Sequence, residues 1–367
     1  MNLVIAGGGT GGHLFPGIAV YEKLISREGE VKAYLIGTKK GIENKLKNDY
    51  DFKFIPIDAT GFIGKNIMNK MRFLKDFLKT FAQVRRIYRD IGPDFVLGLG
   101  GYASFMPLIV ARLKGIRSGV MEQNISPGLA VKILSILGVT VFASFEETKK
   151  YLPFSNVVVT GNPVRENIME QSLKDEATGM ERYKDNSRKG FSIFVFGGSQ
   201  GAASINKAFV NILKELDEEM IENITIFHQT GEKDYKFINE FYLGSRVKKY
   251  EVFPFSRNIE DYYSRADLVV SRAGAGTISE LIVMRKPAIL IPYPFAANNH
   301  QEKNARIFSE KGCFWMVKDD ENLPEILLQN IKKMFYNKKL MYDMYNNIKK
   351  IDFKDPALSI ANIIFKS

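Results

Sequence analysis

Two glycine-rich runs, each directly after a short apolar segment, constrain the fold of this chain more than any other feature. The run at 7–12 follows the apolar residues 3–6, and the run at 197–201 follows 193–196. Glycine allows the tight turn between a buried strand and a helix, and the amides at the start of that helix can bind an anion. At about 100–200 residues per domain, a length of 367 residues fits two domains that open alike.

Short apolar segments alternate with segments of helical spacing in both halves of the chain. The predicted strands are 3–6, 33–36, 54–57, 95–97 and 157–159 in the first half, and 193–196, 224–227, 268–270 and 288–291 in the second. A strand-then-helix order implies parallel strands with right-handed crossovers, and nearly continuous apolar strands indicate sheets covered on both faces. The sequence therefore predicts an α/β protein of two Rossmann-like, doubly wound domains facing across a ligand-binding cleft.

The predicted boundary lies at Gly161-Asn162-Pro163, where glycine and proline interrupt the chain. A charged stretch poor in apolar residues, 170–189, precedes the second set of strands. We therefore expect domains at 1–161 and 162–354. Near the end of the chain, Asp355 as N-cap and Pro356 at the first helical position predict a last helix over 355–367.

The net charge of +11 leaves nucleic acid, an anionic membrane and acidic ligands open as partners. Eight basic residues and only two acidic ones lie within 61–90, interleaved with aromatic and aliphatic residues. This basic amphipathic pattern is typical of a membrane-surface contact, and the alternative is a core helix with a solvated basic face. No recognition fold for nucleic acid accompanies it, so nucleic acid is not expected as a partner.

The sequence also indicates where the chain resides. The single cysteine, Cys313, cannot form an intrachain disulfide, which favours a reducing compartment. The start of the chain lacks the basic and long apolar regions of a signal peptide. An uncharged stretch at 95–111 is interrupted by glycines and a proline, so a strand, a turn and a helix are expected there rather than a membrane span.

In the first half, polar and glycine residues after the strands are candidates for ligand binding. His13 follows the first glycine run and could accept a proton near neutral pH, or could only hydrogen-bond the turn. The loop containing Gly100, Gly101 and Tyr102 could bind a phosphate group or could only pack a crossover. A dinucleotide site would need an acid at the end of the second strand, and none stands there, so an NAD-dependent oxidoreductase is disfavoured.

In the second half, the glycine run again offers backbone amides, and Ser199 and Gln200 could bind phosphate oxygens. Glu280 is expected in a first helical turn, where a carboxylate can accept both ribose hydroxyls or merely stabilise the helix dipole. The polar residues 298–301 are expected on a loop suited to sugar hydroxyls. His228 is expected to be structural, residues 319–321 a solvated acidic run, and no set of metal ligands appears.

Six motifs follow one another along the chain between residues 8 and 280, and the match that they belong to covers nearly the whole chain. They are Gly8-Gly9-Thr10-Gly11-Gly12-His13, Gly98-x-Gly100-Gly101-Tyr102, Glu122-Gln123-Asn124, Gly161-Asn162-Pro163-Val164-Arg165, Gly197-Gly198-Ser199-Gln200-Gly201, and Ser271-Arg272-Ala273-Gly274-Ala275 continuing to Glu280. In this set and order the chain resembles the MurG family of glycosyltransferases. The resemblance implies the GT-B fold, with a C-terminal helix that returns to the first domain.

The resemblance also implies an inverting transfer, without metal or cofactor, of GlcNAc from UDP-GlcNAc to the 4-hydroxyl of MurNAc in lipid I, giving lipid II. The implied partners are these two substrates, the anionic inner leaflet of the cell membrane and cell-wall synthesis proteins, and the implied location is peripheral, at the cytoplasmic face. Two alternatives stay open: another sugar-nucleotide enzyme of the same fold, such as a glycolipid synthase or an epimerase, and a nucleotide-binding protein without enzymatic activity.

Residue by residue, the resemblance implies contacts with UDP-GlcNAc at Thr10, Gly11, Gly12, Asn124, Arg165, Ser199, Ser256, Ala275, Gly276, Thr277, Ile278, Ser279, Glu280 and Gln301. Binding of the acceptor pyrophosphate is assigned to Gly11, Gly12, Gly100, Gly101 and Tyr102. His13 is the first choice of general base and Glu122 the second. The family usually carries histidine where this chain has Met121, so that histidine is not required for the chemistry here.

Overall fold

The computed structural model describes residues 1–8, 11–28, 30–39, 50–57, 69–179, 181–184 and 190–366, and for 28, 69–74 and 177–179 the backbone alone. The chain divides into two compact units. The first comprises Met1–Arg165 with Lys354–Ser367, and the second comprises Glu166–Phe353.

The first unit is built on a seven-stranded parallel sheet with the strand order β3-β2-β1-β4-β5-β6-β7. Its strands are β1 (Asn2–Ala6), β2 (Lys32–Thr38), β3 (Lys53–Ile57), β4 (Phe95–Gly98), β5 (Arg117–Glu122), β6 (Thr140–Ala143) and β7 (Val157–Val159). The described helices are α1 (Gly11–Glu28), α2 (Asn69–Ile91), α3 (Gly101–Leu113) and α4 (Leu129–Ile136), and a 3₁₀ turn spans Glu146–Tyr151.

The second unit contains a six-stranded parallel sheet with the strand order β10-β9-β8-β11-β12-β13. Its strands are β8 (Phe191–Phe196), β9 (Ile224–Gln229), β10 (Lys249–Phe253), β11 (Leu268–Ser271), β12 (Ala288–Leu290) and β13 (Trp315–Met316). Its described helices are α5 (Glu166–Gly179), α6 (Glu181–Lys184), α7 (Ala203–Lys214), α8 (Glu218–Asn223), α9 (Tyr235–Leu243), α10 (Ile259–Arg265), α11 (Ala275–Val283), α12 (His300–Glu310), α13 (Leu323–Tyr336) and α14 (Lys339–Lys349). A 3₁₀ turn spans Ala297–Asn299.

Strands β1 and β8 are almost entirely apolar, apart from Asn2 and Ser192 near their starts, because each is buried on both faces. In β1, Leu3 and Ile5 belong to one buried cluster, whereas Val4 and Ala6 belong to another on the opposite face. Side chains alternate between the faces of a strand, so a strand covered on both sides needs apolar residues at every position. The predicted two-domain α/β architecture is therefore confirmed.

The predicted strands are all present, whereas β5, β6, β10 and β13 were not predicted. Strand β5 contains arginine, serine, glycine and glutamate, and β10 contains lysine and glutamate, so neither is a plain apolar run. Strand β13 has only two residues. Helix α1 begins at Gly11, inside the glycine run, which places His13 in its first turn.

The last helix, α15 (Pro356–Lys366), begins as its sequence indicates. The Asp355 carboxylate accepts a hydrogen bond from the Leu358 amide at 3.1 Å, which caps the helix start. Ile360 and Ile364 are fully buried in the same cluster as Leu14 of α1. The end of the chain thus contributes to the hydrophobic core of the first unit.

Helix α2 contains much of the basic segment. From residue 75 on, where its side chains are described, Val84 and Tyr88 are buried and Phe77 and Phe81 pack against the same core cluster, while the basic residues face outward. From residue 75 onward the segment is thus a helix that packs on the core and exposes its basic face; its contact with a membrane stays a prediction, and 61–68 lie outside the described residues. None of the helices in the described ranges is both long and apolar enough to cross a bilayer.

Candidate active site

In the first unit, His13 lies beside the second glycine loop and is oriented by Gln123. The Gln123 amide nitrogen donates to the Leu99 carbonyl at 3.0 Å, which turns its Oε1 toward His13 Nδ1, 2.9 Å away. A carbonyl oxygen only accepts, so in the neutral ring the proton is on Nδ1 and the lone pair on Nε2. This is the tautomer that a general base acting through Nε2 requires.

The loop at Gly100 and Gly101 has backbone angles that favour glycine, with φ of 83° and 70°. A Cβ at Gly100 would lie 3.0 Å from the Met121 carbonyl oxygen and 3.6 Å from His13 Nδ1. Glycine therefore lets this loop approach the histidine closely. Helix α3 begins at Gly101 and its second residue, Tyr102, is 46% exposed, so this helix start is open to a ligand.

Glu122, at the end of β5, is buried and organises the loop that follows it. Its Oε1 accepts the Asn124 amide at 2.9 Å, and its Oε2 accepts the Gly128 amide at 3.0 Å. Burial raises the pKa of Glu122 to about 7, although these backbone hydrogen bonds act in the opposite direction. Because both carboxylate oxygens accept backbone amides, Glu122 holds the loop that follows β5 in place.

The other residues expected to bind ligand in the first unit are distributed around these two loops. Gly11 is buried and Gly12 exposed in the first turn of α1, while Thr10 lies outside the described residues. The Arg165 guanidinium lies 5.0 Å from the Phe15 ring, so it packs on α1 as well. Met121, where the family usually has histidine, is buried in the core.

The second unit contains a pocket of about 780 Å³ at the carboxyl ends of its strands. This is where parallel α/β sheets bind ligands. It is lined by Gly197, Gly198, Gln200, Gly201, Ala202, Ala203, Ser204, Arg272, Gly274, Thr277, Tyr293, Pro294, Phe295, Gln301 and Asp319. The starts of α7 and α11 both face the pocket, so their first-turn amides are available for an anion.

The two ends of the glycine run at 197–201, Gly197 and Gly201, are packed too tightly for a side chain. Gly201 has a φ of 75°, and a Cβ there would lie 2.0 Å from the Thr230 carbonyl oxygen. The Gln229 side chain donates to the Gly198 carbonyl at 3.1 Å and accepts the Ser256 amide at 3.0 Å. Gln229 thus joins the glycine run to the loop containing Ser256.

Helix α11 presents its first residues to the pocket and buries the next ones. The helix begins at Ala275, so Glu280 lies in its second turn. The sequence-based prediction had placed Glu280 in the first turn. The Glu280 carboxylate accepts the Tyr263 hydroxyl at 2.9 Å, which fixes its orientation. Ile278 is fully buried, and the Ser279 hydroxyl donates to the Ala275 carbonyl at 3.0 Å. Gly276 and Thr277 lie in the first turn and are half-buried.

Two of the other expected contacts differ from the sequence-based prediction. Gln301 lies in the first turn of α12, not on a loop, and its Oε1 accepts the Tyr293 amide at 2.9 Å. Ser199 is exposed and is not among the residues that line the pocket. The preceding 3₁₀ turn is irregular, because Asn298 and Asn299 adopt positive φ, which asparagine tolerates better than most residues.

The sequence did not predict the role of Asp319 in this pocket. Expected in a solvated run, Asp319 instead lies 2.7 Å from the Arg272 guanidinium and accepts the Ser204 hydroxyl at 2.8 Å. The Arg272 and Asp319 side chains are only 11% and 10% exposed. Arg272 also donates to the Ile291 carbonyl at 3.2 Å. Only the three-dimensional contact reveals this arrangement, since the residues are far apart in sequence.

His228 is structural, as predicted. Its Nε2 lies 3.0 Å from Asn206 Oδ1 and its Nδ1 3.2 Å from the Tyr242 hydroxyl, all in the interior of the second unit. Burial lowers the pKa of His228 to about 3, so the ring is neutral. Within the described ranges, no cluster of three or more histidine, cysteine, aspartate or glutamate side chains could hold a metal ion.

Both units match domains of one glycosyltransferase family. Residues 3–142 match the glycosyltransferase family 28 N-terminal domain, and residues 192–358 match the C-terminal domain of the same family. The seven- and six-stranded parallel sheets agree with the GT-B fold. These two domains, together with the relatives below, establish the chain as a hexosyltransferase.

Curated relatives and a crystal structure agree on the subfamily. A Thermodesulfovibrio yellowstonii protein is 41% identical over 94% of this chain and 92% of its own length, and one from Geotalea daltonii is 38% identical over 99% and 96%. Both are named UDP-N-acetylglucosamine--N-acetylmuramyl-(pentapeptide) pyrophosphoryl-undecaprenol N-acetylglucosamine transferase. The crystal structure of Acinetobacter baumannii MurG has a TM-score of 0.79 at 26% identity, covering 100% of this chain and 99% of that one. A UDP-GlcNAc 2-epimerase from Neisseria meningitidis, at 14% identity, shares only the fold. The chain therefore belongs to the MurG family of N-acetylglucosaminyltransferases.

Proposed function

We propose that this chain transfers GlcNAc from UDP-GlcNAc to the 4-hydroxyl of MurNAc in lipid I, with inversion at the anomeric carbon. The proposal that the chain binds UDP-GlcNAc as donor rests on one observation. The pocket of the second unit combines a close-packed glycine run, two helix starts and Gln301 around one space of about 780 Å³. That combination suits a nucleoside diphosphate sugar, whose anionic centre needs backbone amides and whose sugar needs polar side chains.

Within the second unit, at this pocket and beside it, we assign each part of the donor to a separate group. The first-turn amides of α7 and α11 bind the diphosphate, whose negative charge increases as the glycosidic bond breaks. Glu280, oriented by Tyr263, accepts the ribose hydroxyls, and Gln301 binds the sugar. The backbone at Ser256, fixed by Gln229, borders the uracil.

His13 is the general base in this mechanism. Its Nε2 takes the proton of the acceptor hydroxyl while that oxygen attacks C1 of GlcNAc and UDP leaves with the bonding electrons. Gln123 acts as a positioning residue because it holds the required tautomer. Glu122 acts through its loop, where it fixes the backbone of Asn124. The helix starts at Gly11 and Gly101 supply amides for the acceptor pyrophosphate, with Tyr102 beside them.

We assign acceptor and membrane binding to the first unit and donor binding to the second. The lipid acceptor implies contact with the cytoplasmic leaflet, and the first unit has a suitable surface. Leu113, Leu129, Ile133, Ile136 and Leu137 form what we term the aliphatic patch, and all five are exposed. The Arg112 guanidinium donates to the Leu137 carbonyl at 2.7 Å, which ties the end of α3 to the end of α4. Exposed apolar residues beside basic ones are typical of a protein surface that binds an anionic membrane. Cell-wall synthesis proteins would be encountered at that membrane.

Replacing Leu113, Ile136 and Leu137 together by serine should weaken binding to phosphatidylglycerol vesicles by at least about tenfold. Each buried aliphatic side chain contributes about 1.5–3 kcal/mol, and 1.4 kcal/mol corresponds to tenfold. Vesicle sedimentation measures the binding, and affinity for UDP-GlcNAc should not change. Leu243→Ser is the matched control, because Leu243 of the second unit is as exposed as Leu113, at 70%. Equal vesicle binding by the triple variant and the control would refute this membrane surface.

UDP release measured with and without acceptor tests the proposed reaction. The purified chain should release UDP from UDP-GlcNAc only when a lipid I analogue is present, and a chelator should leave the rate unchanged because helix amides stabilise the leaving group. Rapid consumption of UDP-GlcNAc without the acceptor would contradict the proposal.

A further inference from the structure

Ser204, Arg272 and Asp319 form a closed group of polar contacts at the wall of the donor pocket, which we term the pocket brace. Asp319 Oδ2 lies 2.7 Å from Arg272 Nη1 and accepts the Ser204 hydroxyl at 2.8 Å. Arg272 Nη2 in turn donates to Ser204 Oγ at 2.8 Å. Each of the three therefore contacts the other two, and the charges of the arginine and the aspartate compensate each other.

The brace connects four segments that surround the same pocket. Ser204 is the second residue of α7, Arg272 follows β11, and Asp319 lies beyond β13. The Arg272 guanidinium also donates to the carbonyls of Ile291 and Pro292, at 3.2 and 3.4 Å, and lies 5.3 Å from the Tyr293 ring. These contacts engage both Nη atoms of Arg272 with the protein itself. A carboxylate at an anion-binding pocket would repel a diphosphate unless a cation compensates it.

We propose that Asp319 is a positioning residue for the donor diphosphate, acting through Ser204 and Arg272. Asp319 holds the first turn of α7 so that the amides of that turn face the pocket. It also keeps the Arg272 side chain bound to the protein, so that Arg272 is not a phosphate ligand. This inference rests on the proposed function, because it assumes that a nucleoside diphosphate occupies this pocket. Asp319 makes no direct contact with the ligand in this account.

Two substitutions of Asp319 should have different effects on UDP binding. Asp319→Asn keeps an oxygen that can accept from Arg272 and Ser204, so UDP affinity should stay within about threefold of wild type. Asp319→Ala removes the acceptor, releases the first turn of α7, and should weaken UDP binding by about 10- to 100-fold. If Arg272 were instead a phosphate ligand restrained by Asp319, Asp319→Ala would strengthen UDP binding.

Uridine separates this role from a general loss of structure. Uridine lacks the diphosphate, so Asp319→Ala should change its affinity by less than about threefold, whereas a collapsed pocket would lose both ligands. Asp320→Ala is the matched control, because it removes the neighbouring charge outside the brace and should leave both affinities unchanged. Competition against a fluorescent UDP analogue measures every affinity.

The outcomes distinguish this inference from the proposed function. If wild type fails to bind UDP, the proposed function fails; if wild type binds and Asp319→Ala binds equally well or more tightly, only the brace fails. Should Asp319→Ala not fold, Ser204→Ala replaces it. That variant removes the hydroxyl between the two charges and should weaken UDP binding by about three- to tenfold, with uridine unaffected. Unchanged UDP binding by Ser204→Ala would overturn the proposal.

Discussion

His13→Ala should lower kcat by a factor of about 10²–10⁴, the usual contribution of a positioned general base. Alanine lacks the Nε2 atom that takes the acceptor proton in this mechanism. The donor pocket belongs to the second unit, so the dissociation constant for UDP should stay within about threefold of wild type. Single-turnover kinetics with saturating donor measures the chemical step, and calorimetry with UDP measures binding.

A second variant tests whether Gln123 sets the tautomer. Gln123→Leu removes the acceptor from His13 Nδ1, so both tautomers become populated and kcat should fall by a smaller factor than in His13→Ala. In the double variant the two effects should not add, because Gln123 acts only through the histidine. A decrease of less than about tenfold in His13→Ala would mean that His13 is not the general base.

Gly201→Ala should weaken UDP binding by at least about 100-fold and reduce the free energy of unfolding. The added Cβ would lie 2.0 Å from the Thr230 carbonyl oxygen, so the glycine run must move away from its packed position. Alanine also resists a φ of 75°, at a cost of about 1–2 kcal/mol. Calorimetry with UDP and urea unfolding measure the two effects.

Gly190→Ala is the matched control for that variant. Gly190 also has a positive φ, 104°, and lies just before β8, but among the described residues a Cβ there would approach only the Asn223 carbonyl oxygen, at 3.9 Å. Gly190→Ala should therefore lose some stability and keep its affinity for UDP. If Gly201→Ala binds UDP as well as Gly190→Ala does, the glycine run does not form the diphosphate site.

Those parts of the fold that depend on local pattern could be predicted from the sequence. Strands β1 and β8 are almost entirely apolar because each is buried on both faces, and the glycine runs after them mark the start of the next helix. Strand β5 was missed because its residues include Arg117, Gly119 and Glu122, whose charge and small size do not suggest burial. Its place in the sheet is set by pairing with β4 and β6, which sequence periodicity does not show.

Site residues could be predicted from the sequence where a single residue in a local motif suggests a chemical role. They could not be predicted where the role depends on contact between residues far apart in the sequence. His13 and the glycine loops belong to the first kind, although their assigned roles stay predictions. Asp319 belongs to the second kind: its sequence neighbours suggest a solvated acidic run, and only its contact with Arg272 reveals a buried pair. The tautomer of His13 likewise depends on Gln123, 110 positions along the chain.

Following the radiolabelled sugar of UDP-GlcNAc into the lipid fraction tests the central claim most directly. With a lipid I analogue in anionic vesicles, we expect the label to move to the lipid as a β-linked disaccharide, with one UDP released per sugar transferred, and His13→Ala should abolish most of this transfer. Label recovered as free GlcNAc or as an epimerised nucleotide sugar, or no transfer while UDP still binds, would contradict the account.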